Sequence, residues 1–186
     1  MWADRIGGLA ALLFFVGLGG RAVAAESTRT PICERPAAGS AATPAPSLYS
    51  QKGVLTAYLD YVSSTDAAGR TLYCFVTREG LESPTLRVKP GDTLVIFLTN
   101  RLPPPAAGAD AAMGMSVGSD VRGDPPMNAA SVNMHFHGTN TSPTCHSDEV
   151  IHTVVNPGQT FRYELKFPPS EPPGLYWYHP HIHGLA

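Results

Sequence analysis

Two short segments concentrate histidine: residues 132–138, VNMHFHG, and residues 176–184, YWYHPHIHG. Along a β-strand, side chains two positions apart share a face about 6.5–7 Å from one another. His135 and His137 therefore present two imidazoles side by side, and His179 and His181 do the same. Imidazole suits copper and zinc, and neither segment carries the carboxylates that magnesium or calcium requires. A single H-x-H is commonplace. Two of them, each set among glycine and aromatic residues, form a specific metal-ligand pattern for one shared ion or two neighbouring ions. Pro180 stiffens the chain between its flanking histidines and removes one backbone donor.

The other histidines carry less. His183 falls two positions beyond His181 but is followed at once by Gly184, and it reads as a structural neighbour of the ligands. His146 and His152 flank the acidic pair Asp148-Glu149 in a turn-rich stretch and read as surface or hydrogen-bonded residues. A cupin barrel would also supply H-x-H. That pattern needs a glutamate after three or four intervening residues, where Thr141 and Ser142 stand.

The elements that position these residues read as strands. The runs GVLTAYLDYV, TLYCFV, PTLRVKP and DTLVIFLTN are rich in β-branched and aromatic residues and are separated by turn chemistry such as Pro90-Gly91-Asp92. TFRYELKF alternates strictly, with Phe161, Tyr163, Leu165 and Phe167 on one face, after the turn Asn156-Pro157-Gly158. DTLVIFLTN is apolar on both faces, as a central strand should be. No segment sustains a helical period. Short strands at this spacing predict an all-β Greek-key sandwich or barrel. Residues 102–130 are rich in Pro, Gly and Ala and read as a mobile surface loop. Its Met113, Met115 and Met127 are possible thioether ligands for Cu(I), though methionines in such loops are commonly incidental.

Charge excludes some partners. With 13 Lys+Arg against 15 Asp+Glu among 186 residues, the formal net charge is −2, which offers no footprint for nucleic acid or an anionic membrane. The N-terminus carries Arg5, an apolar run from Ile6 to Leu18 and the small residues Ala22-Val23-Ala24-Ala25. This is the pattern of an export signal over residues 1–25, too short to span a bilayer. The mature chain is then expected in the periplasm or outside the cell, with no membrane span. Residues 26–52 form a Pro/Ala/Ser-rich extended lead-in without a packed face, and one domain occupies residues 53–186. Export makes a disulfide plausible among Cys33, Cys74 and Cys145, and spacing alone does not choose the pair.

Together, MHFHG, LYWYHPHIHG and the preceding PTLRVKPGDTLVIFLTN resemble the N-terminal cupredoxin domain of laccase-like multicopper oxidases. The resemblance runs from about Gly53 to Ala186. It implies that His135 is a type 2 copper ligand, that His137 is a type 3 ligand, and that His179 and His181 serve the type 3 pair. It further implies that Asp148, near the cluster, relays protons. In the family, a type 1 copper takes electrons from a reducing substrate and passes them to a cluster that reduces dioxygen to water. These 186 residues contain no H-C-H motif for a type 1 site and no downstream cupredoxin domain. The resemblance thus implies the N-terminal portion of an oxidoreductase, inactive by itself, that lacks the strand closing its domain. The other class consistent with the residues is a non-catalytic exported copper-binding or copper-handling protein.

Overall fold

The computed structural model describes residues 32–33, 35–106 and 127–182, all within one unit, Pro31–Ala186. The expected export signal, the centre of the 102–130 loop with Met113 and Met115, and His183 lie outside the described residues. Among the described residues there is no helix, so none is long and apolar enough to cross a membrane. Eight strands make up the regular structure of the described residues: β1 (Ser47–Tyr49), β2 (Val54–Thr65), β3 (Thr71–Thr77), β4 (Thr85–Arg87), β5 (Thr93–Asn100), β6 (His135–His137), β7 (Thr160–Lys166) and β8 (Trp177–His179).

Four strands form the main sheet in the order β3-β2-β5-β7. β2 and β3 make an antiparallel hairpin. At its turn the Asp66 carboxylate accepts the N–H groups of Ala68 and Arg70, each at 2.9 Å, and the Arg70 Nε at 2.7 Å. β2 and β5 run parallel, and β7 returns antiparallel to β5. The alternation in each sequence decides which side chains go inward. Leu55, Ala57 and Leu59 of β2, Leu94, Ile96 and Leu98 of β5, and Tyr163 and Leu165 of β7 join one buried cluster. As its two-sided apolar sequence predicts, β5 also buries Val95 on the other side. There Phe97 stacks on Tyr58 at 4.9 Å, with the Arg78 guanidinium 4.0 Å above the Tyr58 ring.

Two strand pairs complete the core, β1 with β4 in parallel and β6 with β8 antiparallel. The stretch from Val132 to Phe136 sends Val132, Met134 and Phe136 into the cluster, where all three are buried. Tyr178 of β8 packs beside them, against Phe75 and Phe136. Its hydroxyl donates to the Pro84 carbonyl at 2.9 Å, and burial pushes its phenol up to about 12.

Buried hydrogen bonds pin this layer to the sheet. The Met134 N–H donates to the Tyr163 hydroxyl at 3.0 Å. Fully buried Asn100 donates to the carbonyls of Ala130 (2.7 Å) and Val155 (2.8 Å) and accepts the Leu102 N–H at 3.0 Å. Val132 and Val155 exchange backbone hydrogen bonds at 3.0 and 2.8 Å.

The lead-in is more firmly held than its composition implies, and the expectation of an extended segment without a packed face is corrected at two places. Cys33 is fully buried and forms a disulfide with Cys74 of β3, packed with Val62, Leu72 and Val76. Ser47–Tyr49 forms β1, with Leu48 against the main core. Composition registers neither a covalent tie nor a three-residue strand. The disulfide joins positions 41 residues apart, so its loss should destabilise the chain by about 2–4 kcal/mol. Replacing Cys33 and Cys74 by serine is expected to show that loss in urea unfolding. Faster proteolytic cleavage between residues 35 and 50 should accompany it, and unchanged unfolding and cleavage would contradict this account.

Candidate metal centre

The β6–β8 register sets the site. His135 lies opposite His179, and His137 lies opposite Trp177. Because β6 turns Phe136 into the core, His135 and His137 face the other way. Because β8 turns Tyr178 inward, Trp177 and His179 join them. Gly138 ends β6 with φ at 84°, a backbone state that favours glycine. One ligand nitrogen from each of His135, His137 and His179 falls within 4.8 Å of the others. The His135 ring is central, with centroids 5.7 Å from His137, 5.4 Å from His179 and 5.3 Å from His181.

The hydrogen bonds of each ring determine which nitrogen is left for a ligand. His135 Nδ1 lies 2.9 Å from the Asp148 carboxylate. That carboxylate also accepts the Phe136 N–H at 3.0 Å, and its side chain is 10% exposed. A carboxylate facing Nδ1 places the proton there, fixes the ring and leaves the Nε2 lone pair for a ligand. His179 Nδ1 lies 2.7 Å from the Pro180 carbonyl, which can only accept. Its Nε2 is then unprotonated, and this atom is buried with no hydrogen-bond partner. Buried polar atoms are rarely left in this state. A buried nitrogen lone pair in a group of three imidazoles is what a metal ion would satisfy.

All four expected histidines meet here in different ways. His135, His137 and His179 form the compact nitrogen group, and the His181 ring stands beside it, 5.8 Å from His179. Asp148 enters as the partner of His135. His146 and His152 do not join. His146 is exposed, stacks on Phe161 at 4.9 Å and places its Nδ1 3.0 Å from the Arg162 carbonyl. His152 is exposed, and its N–H donates to Glu149 at 2.9 Å. Burial would raise the Glu149 pKa. The N–H groups of His152 and Ile151 and the Thr153 hydroxyl outweigh that effect, so the carboxyl sits below its ordinary range.

Two residues at the centre were missed by sequence reasoning. Asn133 is fully buried. It accepts the His181 N–H at 2.7 Å and donates to the carbonyls of Val150 (3.1 Å) and His181 (3.3 Å). The available signal was a polar residue on the histidine side of the alternating VNMHFH. Trp177 stacks against two of the histidine rings and was read only as an aromatic neighbour.

Comparison with known proteins agrees with this picture. Residues 127–186 match the family model described as multicopper oxidase. No curated protein is similar to the chain in sequence. A solved multicopper oxidase from Campylobacter jejuni, titled a metallo-oxidase, is similar over 76% of this chain and 25% of its own, with 22% identity and a TM-score of 0.51. A laccase-like multicopper oxidase from Ochrobactrum sp. is similar over 76% of this chain and 26% of its own, with 18% identity and a TM-score of 0.47. The first likeness shows the fold, which is all-β and cupredoxin-like. The chain spans about a quarter of the length of these solved structures. By fold and by residues 127–186 it is similar to the multicopper oxidases.

Asn133→Ala removes three hydrogen bonds and leaves the His181 N–H and two carbonyls without their side-chain partner. The expected cost is about 2–4 kcal/mol. Asn133→Asp should cost at least as much at neutral pH, because a carboxylate cannot donate to carbonyl oxygens. Urea unfolding of both variants measures this. Near-native stability of the aspartate variant would show that the donated bonds do not matter.

Proposed function

We propose that this chain is the copper-binding N-terminal portion of a multicopper oxidase, contributing histidine ligands to the centre at which dioxygen is reduced. The observation that carries the reading is the buried, unpartnered Nε2 of His179, a residue with a ring nitrogen within 4.8 Å of a nitrogen of both His135 and His137. The donor set fits copper, since it consists of imidazoles and the nearby Asp148 is engaged with His135. Following the family pattern, His135 would hold the type 2 copper and His137 a type 3 copper, while His179 and His181 would serve the type 3 pair. Copper held there would supply one-electron chemistry for the reduction of dioxygen to water.

The chain's own residues have separate tasks in this proposal. Asp148 holds the His135 proton on Nδ1, and as an acid within reach of the cluster it can pass protons inward. The Pro180 carbonyl holds the His179 proton on Nδ1. Asn133 keeps the His181 backbone in place. The reducing substrate, the type 1 copper that receives its electrons and the further cupredoxin domains would belong to the rest of such an enzyme. Export of the chain, with residues 1–25 as the signal, completes the proposal, and the domain expected over residues 53–186 takes in Cys33 and β1 as well. The Cys33–Cys74 disulfide supports an oxidising compartment.

Copper titration is the direct test. His137→Ala and His179→Ala are expected to lower Cu(II) affinity by about 100-fold or more, whereas His152→Ala should leave it within about twofold. Equal losses from all three would mean that the ligands are misassigned, and no binding by the unaltered chain would remove the reading.

A second expectation concerns turnover. Cys33 and Cys74 are paired, and Cys145, the free thiol among the described residues, is exposed. The copper-loaded 186-residue chain should therefore show no intense blue thiolate-to-copper band and no sustained oxygen uptake with a phenolic reductant. Oxygen electrode and absorption measurements check this, and uptake together with a blue band would make the chain a complete oxidase.

A further inference from the structure

We infer that Trp177 is a positioning residue for the metal centre, one indole that holds a ligand from each strand in its binding orientation. The inference rests on the copper reading above and adds a residue to it. The Trp177 ring stacks on His137 with centroids 4.8 Å apart and planes 26° apart, and on His179 with centroids 4.3 Å apart and planes 18° apart. The two imidazoles lie 6.2 Å from each other, so the indole is nearer to each than they are to one another. The contacts follow from the strand pairing. Trp177 is the cross-strand partner of His137 and stands two residues before His179 on the same face of β8.

Among the described residues, Asp148 fixes His135 and the Pro180 carbonyl fixes His179, whereas the His137 ring is met by the rings of His135, Trp177 and His179. His137 is also exposed, and a free imidazole there would sample several rotamers that binding must then suppress. A flat indole of fixed orientation limits that sampling before the ion arrives. The effect should grow on binding, because a metal-bound imidazole carries more positive charge, which the face of an indole attracts. Trp177 would thus favour the loaded state over the empty one. At 55% exposed, it contributes little to the buried core, so its replacement separates positioning from folding.

The experiment compares the full chain with Trp177→Ala, Trp177→Leu and Trp177→Phe, using Cu(II) as the probe. All variants carry Trp2→Phe, so that in the parent Trp177 is the sole tryptophan. Competition titration should show about a tenfold loss of affinity for the alanine and leucine variants. The phenylalanine variant should recover to within about threefold of the parent, with thermal midpoints close together across the series. The Cu(II) electron paramagnetic resonance spectrum should broaden in the alanine and leucine variants, as His137 takes several orientations, and sharpen again with phenylalanine. Stoichiometric Cu(II) should quench Trp177 emission in the parent, and His137→Ala should weaken that quenching. Unchanged affinity and spectrum in Trp177→Ala would overturn the inference and leave the copper reading standing. Recovery by leucine as complete as by phenylalanine would also overturn it, since bulk rather than stacking would then suffice. Absence of Cu(II) binding in the parent would instead remove the reading on which it rests.

Discussion

The fold must keep the His179 Nε2 buried and without a hydrogen-bond partner, at a cost of about 1–3 kcal/mol. The opposing gain lies on the inner face of β6, β8 and the stretch that leads into β6. Val132, Met134 and Phe136 are each at most 5% exposed, and Tyr178 packs on them. Each large apolar side chain buried there contributes about 1.5–3 kcal/mol, so the inner face outweighs the unsatisfied nitrogen. The strand pair is stable because its inner face is ordinary core, and that allows its outer face to be chemically unusual.

The main sheet supports this arrangement from below. β6 is three residues long and could not hold its own register. Asn100 on β5 and Tyr163 on β7 take up the carbonyl of Ala130 and the N–H of Met134 on the approach to it. Desolvation raises the Tyr163 phenol well above its ordinary pKa, the Met134 hydrogen bond opposing it, so the hydroxyl remains neutral and continues to accept that N–H. The connection from central strands to histidine rings is therefore a short series of buried hydrogen bonds, each depending on a side chain that cannot move without leaving a polar group unpaired.

These relations were unequally visible in the sequence. The period of two in TFRYELKF and the H-x-H pairs follow directly from strand geometry, so β7 and the histidine side of β6 could be read from residue types alone. The all-β class was legible through the same strand runs, and its cupredoxin-like form through the resemblance carried by the two histidine motifs and PTLRVKPGDTLVIFLTN. Pairing partners were not. Nothing local places His135 opposite His179 across more than forty residues, brings Asp148 to the His135 Nδ1, or selects Cys74 rather than Cys145 for Cys33. The lead-in misled because the buried one among its described residues is a cysteine whose partner lies on β3. Asn133 was hidden for a different reason: a polar residue beside histidines looks like part of a solvated face, and only the fold shows it to be fully buried.

The register explains what Asn133 does. His135 pairs with His179, so two positions back along β6 and two positions forward beyond β8 bring Asn133 opposite His181. Strand pairing has ended by then, since β8 stops at His179 and Pro180 has no N–H to continue it. The Asn133 side-chain amide accepts the His181 N–H and donates to its carbonyl, which is the pair of bonds that a neighbouring strand's peptide group would make. An amide side chain carries both the acceptor oxygen and the N–H donors that this requires. The proline bends the chain away from the ladder, and the asparagine holds the bent segment at the distance the ladder would have set. That keeps the His181 ring 5.3 Å from His135, beside the nitrogen group that β6 and β8 assemble by regular pairing.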